Sequence, residues 1–178
     1  MNMKLRLTIF LFAVSLLPIS VHASEEGTRH ITGTGMNIYF MNDKVFGTSG
    51  GHPLWAIYDC GSDINGEIDI RGTYHKLALK YHQQSERIIT GTFGPLEMEL
   101  GKIEKTRSGF TYQVSVGENE FRFSIRYQKL EDDHLVNSII EGNLQNGEVI
   151  RLVVDGRLCP FATTGIIMIA AGAYALGA

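Results

Sequence analysis

The chain reads as a mainly β protein: an antiparallel meander sandwich or closed barrel, built from an internal three-stranded repeat and followed by an apolar C-terminal helix. Three observations predict this. Apolar and polar residues alternate with period two through the middle of the chain. A three-strand pattern recurs there at offsets of 46 to 54 residues. No sustained 3.6-residue period runs between Ser24 and Arg157.

The N-terminus, MNMKLRLTIFLFAVSLLPISVHA, has the three parts of a secretory signal peptide. Lys4 and Arg6 supply the basic region, Leu7 to Leu17 the apolar core, and Val21-His22-Ala23 the small-residue cleavage site. A run of eleven residues is too short to cross the ~30 Å of a bilayer's hydrocarbon core. Cleavage after Ala23 leaves a mature chain of 155 residues, enough for one domain with a real core. It carries 14 basic and 19 acidic residues, a net charge of −5, without a basic patch interleaved with aromatics. Nucleic acid is not an expected partner. The expected destination is the periplasm or cell envelope.

The β domain is expected over 24–158. In GTYHKLALKYH, His75, Leu77, Leu79 and Tyr81 share one face; in EFRFSIRYQK, Phe121, Phe123, Ile125 and Tyr127 do the same. Such stretches are half-buried strands. Leu77, Leu79 and Tyr81 match Phe123, Ile125 and Tyr127 at an offset of 46, and Ile88-Ile89-Thr90-Gly91 matches Ile139-Ile140-Glu141-Gly142 at 51. Leu96, Met98 and Leu100 match Ile150, Leu152 and Val154 at 54, so the repeat spans about 73–100 and 119–154. Its offset grows only between strand-like pieces, as loop insertions require. Ile31-Thr32-Gly33-Thr34 repeats Ile89-Thr90-Gly91-Thr92. Asn65-Gly66 and Asn146-Gly147 read as hairpin turns. A closed barrel of this size has room for one small ligand.

Two stretches carry catalytic-looking strings. Gly47-Thr48-Ser49-Gly50-Gly51-His52-Pro53 resembles the G-D-S-G-G-P segment around the nucleophile of chymotrypsin-like proteases. Here Thr replaces the Asp, a His precedes the Pro, and only His30 lies upstream in the mature chain to serve as a base. Tyr58-Asp59-Cys60-Gly61-Ser62 resembles the D-C-S-G segment of cysteine peptidases that cut cell-wall peptides. An activated Cys should open a helix, yet DINGEIDIRGTY after Cys60 reads as turn and strand. His75 and His82 are seven apart, which on a strand puts them on opposite faces, and Asp132-Asp133-His134 reads as a solvated turn. No catalytic residue, metal site or cofactor is assigned.

Cys60 and Cys159 are the only cysteines, and in an exported chain they are expected to form a disulfide. After Cys159, Phe161 to Ala178 carries no charge. Pro160 suits the first turn of a helix, and eighteen residues reach ~27 Å. Gly165, Ile169, Ala173 and Gly177 form a stripe at four-residue spacing, a pattern that lets membrane helices approach closely. The tail 159–178 therefore reads first as a membrane-embedded helix, also able to drive oligomers. A helix docked within the protein, or a strand, is the alternative. The functional expectation is a non-enzymatic exported envelope protein whose β domain binds a partner protein, glycan or lipid-like ligand. The alternative is an envelope hydrolase using Cys60 or a His.

Overall fold

In a computed structural model that describes residues 29–82, 87–132, 134–144 and 147–177, twelve strands form one sheet that closes on itself. The segment read above as a signal peptide and Asn146 lie outside the described residues. The strands are β1 (Arg29–Gly33), β2 (Met36–Met41), β3 (Lys44–Ser49), β4 (His52–Asp59), β5 (Asp63–Ile70) and β6 (Thr73–Tyr81). They continue as β7 (Arg87–Phe93), β8 (Leu96–Lys105), β9 (Gly109–Val116), β10 (Asn119–Glu131), β11 (His134–Asn143) and β12 (Val149–Leu158). Each pairs antiparallel with its neighbours in sequence, and β12 pairs with β1, with Ile31 opposite Val154. The expectation of a sandwich or a barrel resolves to an up-and-down barrel, which leaves no edge unpaired.

Tight turns make the meander possible. Arg71-Gly72 (φ 53° and 82°) and Gly50-Gly51 (φ 60° and 79°) place both central residues at positive φ, the twist that matches flanking strands. Asn65-Gly66 is not a turn, as the sequence suggested, but the middle of β5, where Gly66 lies opposite Ala56. A side chain at Gly66 would overlap the Trp55 carbonyl and Ala56, so the glycine serves close strand approach.

The two repeat units are β6–β7–β8 and β10–β11–β12. Their inward phase agrees: Leu77, Leu79, Phe123 and Ile125 are all buried, as are Ile89 and Ile140. Their pairing register does not. Gly91 faces Leu79, whereas Gly142 faces Phe123, the residue that corresponds to Leu77. The middle strand of the second unit is thus shifted by two residues, which preserves which face is buried.

The tail is the core. Helix α1 (Pro160–Ala175) starts beside the β4–β5 turn, to which Cys159 is disulfide-bonded. It ends with Ala173 and Tyr174 beside Thr34, Gly50 and Leu144 at the opposite rim. Every residue from Phe161 to Ala173 is buried, with no polar face at all. The surrounding wall supplies Ile31, Phe40, Ile64, Phe93, Leu100 and Phe123, all with under 2 % exposure. Two helix turns apart, Gly165 and Gly172 form notches for this wall. A Cβ at the first would overlap the Ile64 side chain, and one at the second the Phe93 ring. The hydroxyls of Thr163 and Thr164 donate to the carbonyls of Cys159 and of Pro160 and Phe161, so neither polar group is left unpaired in the apolar lumen.

This corrects the reading of 161–178 as a membrane-embedded helix. Gly165, Ile169 and Ala173 lie inside the barrel, and Gly177 follows the helix in an exposed turn. An all-apolar helix needs burial on every side, and here twelve strands supply what lipid would have. Among the described residues, no helix is long and apolar enough to cross a membrane. The lumen that might have held a small ligand is filled.

Candidate functional site

With the interior committed to packing, chemistry available to partners lies on the outer wall and at the rims. The outer face of β1–β4 is unusual. Cross-strand pairing aligns His30, Tyr39, Phe46, Trp55 and Glu67 in one row over β1 to β5. The rings of His30 and Tyr39 stack with centroids 4.3 Å apart, and those of Tyr39 and Phe46 at 5.7 Å. Asn37 Oδ1 lies 2.6 Å from His30 Nε2, and Trp55 Nε1 donates to Glu67 Oε1 at 2.9 Å, so polar groups anchor both ends of the row. The next outward row brings Met41, Lys44 and Ile57 alongside. Trp55 and Ile57 are each 51 % exposed, Met41 42 % and Phe46 38 %.

Ile57 also borders the second feature, a cavity of about 540 Å³ at the rim where α1 begins. Its walls include Arg29, Asp43, Asp59, His134 and both cysteines. The expected bond between Cys60 and Cys159 is present. It ties the β4–β5 turn to the start of the helix and closes a loop of 99 residues' separation. Cys159 is the helix N-cap: its Sγ accepts the Ala162 amide at 3.4 Å, while Pro160 opens the first turn.

The other singled-out residues do not converge. Ser49 is buried at the end of β3, followed by the Gly50-Gly51 turn, at the rim remote from the disulfide. His75 packs near Gly94, and His82 Nε2 lies 2.7 Å from Thr90 Oγ1. His134 Nδ1 lies 2.8 Å from the Asp132 carbonyl, and Arg157 donates to the Asp132 carboxylate at 3.1 Å. Asp133 lies outside the described residues, among which no group of three or more His, Cys, Asp or Glu is placed to hold a metal. Inside, the phenols of Tyr81, Tyr112 and Tyr127 gather with Phe110 and Phe161. Burial holds the Tyr112 phenol well above the usual tyrosine range, reinforced by its two tyrosine neighbours.

Sequence reasoning passed over Tyr39, Met41, Phe46, Trp55 and Ile57. The signal was there: MNIYFM and LWAIY carry large apolar residues at consecutive positions, so both faces of the strand are apolar where one should be polar. The fold and rim features define a closed up-and-down barrel around a disulfide-tethered helix. Neither the family models, nor the curated proteins, nor the solved structures compared with this chain give a match.

Proposed function

We propose that the chain is an exported, non-catalytic binding protein whose outer face over β2–β4 docks a partner protein in the cell envelope. The observation that carries this reading is the outward face on which exposed Met41, Phe46, Trp55 and Ile57 adjoin half-buried Tyr39. Aromatic residues and Met are the side chains that protein interfaces collect, and a contiguous exposed apolar patch marks such sites. A glycan platform needs open ring faces, but Tyr39 has a ring stacked on each side. The lumen, where a barrel would enclose a lipid-like ligand, holds α1. Export rests on the signal peptide and is supported by the disulfide.

The test is photo-crosslinking in cells from an amino acid introduced at position 46 or 57, with position 126 on the charged wall as control. Discrete crosslinked species from 46 and 57, absent from 126, support the reading. Equal or absent crosslinking from all three positions overturns it. Trp55 is the only tryptophan, so its emission reads the same face directly. Partner binding should shift that emission to the blue.

A further inference from the structure

We propose that the Cys60–Cys159 disulfide is exchange-active and directional: an external thiolate attacks Cys60, and Cys159 departs. Three independent features of the rim set this direction. Cys60 is an exposed turn residue, whereas Cys159 is 6 % exposed beneath it, so an incoming sulfur meets Cys60 first. Both cysteines line the cavity of about 540 Å³, which admits a thiol reagent without unfolding. Finally, Cys159 Sγ already accepts the Ala162 amide at the start of a sixteen-residue helix with no acidic residue in its first turn. Amide donors and the positive helix end stabilise a thiolate at that sulfur, and the more stable thiolate is the better leaving group.

Several groups around the cavity act on the same sulfur. Arg29 from β1 favours the thiolate, as does His134 from β11 when protonated. Asp43 in the β2–β3 turn and Asp59 at the end of β4 oppose it, and Tyr58 also lines the cavity. Both carboxylates sit on exposed residues, where water screens them, while the Ala162 amide touches the sulfur itself.

In the step, the thiolate R–S⁻ forms a bond to Cys60 Sγ as the Cys60–Cys159 bond breaks. The electron pair of the broken bond remains on Cys159 as a thiolate. With a dithiol donor, the second thiol loses its proton and attacks the R-side sulfur. The donor then leaves as a disulfide, and Cys60 takes the pair as a thiolate that binds a proton. Two electrons have entered the protein and the donor is oxidised. The strand pairing closes the barrel without the disulfide's help in the ladder, and the exchange requires the fold to survive loss of the bond's stabilisation.

The test uses the folded wild-type chain and glutathione as probe. After acid quenching and alkylation of free thiols, peptide mass spectrometry locates the adduct. The expected result is glutathione on Cys60 with Cys159 alkylated, in at least about tenfold excess over the reverse. Adducts on Cys159, adducts shared equally, or none without denaturant overturn the proposal. As a second measurement, the thiolate absorbance of Cys60→Ser should show Cys159 titrating below the ~8.5 of a free thiol. A midpoint at or above that value contradicts the leaving-group argument. Should that variant fail to fold, the wild-type adduct map decides alone.

Discussion

Strands β2–β4 and strands β10–β12 send the same kind of residue inward and opposite kinds outward. Inward, Ile38, Phe40 and Leu54 in the first group correspond to Phe123, Ile140 and Leu152 in the second, all essentially sealed from solvent. Outward, the first group presents Tyr39, Met41, Phe46, Trp55 and Ile57. The second presents mostly charge, with Arg122, Arg126, Glu141 and Arg151, and its exposed aliphatics are Leu130, Val149 and Val153, none of them aromatic. Glu141 takes Arg126 at 2.6 Å and Arg151 at 3.5 Å. The barrel needs only its inner face to fold. The outer face is free to differ, and the docking proposed above would account for its becoming apolar where folding does not require it. On that proposal, the wall of β10–β12 is the unengaged surface of the same barrel.

The comparison breaks first if the shared interior is not required. Phe161, Ile166, Ile167, Met168 and Ile169 are buried to 3 % exposure or less. At ~1.5–3 kcal/mol per buried large side chain, they contribute on the order of 10 kcal/mol, comparable with a whole domain's ~5–15 kcal/mol. Removing 161–178 is therefore expected to abolish the cooperative thermal transition of both walls together. A truncated chain with an unchanged melt would return the tail to the status of an appendage.

Next in size is the staple between wall and helix. Cys60→Ser and Cys159→Ser should each lower stability by ~2–4 kcal/mol in denaturant titrations, and the double variant by no more than either. Additive losses would mean that the bond is not what stabilises.

Alkaline pH probes the interior more gently. The folded-state pKa of Tyr112 is raised, so its contribution is complete below the ~10 of an unfolded tyrosine and is lost as pH rises beyond it. Absorbance at 295 nm should show one phenol that ionises only as the circular dichroism of the barrel collapses. Ionisation of every phenol before unfolding would argue against a sealed core.

The smallest stability effects should belong to the outer walls, and there the two regions part. Phe46→Ser and Arg126→Ala are each expected within about 0.5 kcal/mol of wild type, because exposed side chains and surface ion pairs count for little. Crosslinking from position 57 should be lost with Phe46→Ser and kept with Arg126→Ala. Loss of folding with Phe46→Ser would show that the apolar row is a structural ladder.

Much of this was legible in the chain. Period-two alternation in GTYHKLALKYH and EFRFSIRYQK gave the half-buried strands, and two cysteines behind an expected export signal gave the bond. The turn at Asn65-Gly66 was misread because a dipeptide cannot reveal that its glycine faces Ala56 across a ladder. The tail was misread for a deeper reason. Its sequence demands burial on all sides, but lipid and a closed barrel meet that demand equally, and only closure of β1 on β12 decides between them. The outer aromatic row escaped notice because its members come from four strands, aligned only by register.

Amide hydrogen exchange measures the arrangement of wall and helix most directly. With α1 enclosed by the sheet, the amides of 164–173 are expected to exchange only through global unfolding, at the same rate as the centres of β10 and β11 and with the same response to denaturant. Exchange of those helix amides in seconds, while β10 and β11 remain protected, would show that the helix leaves the lumen and would contradict the account.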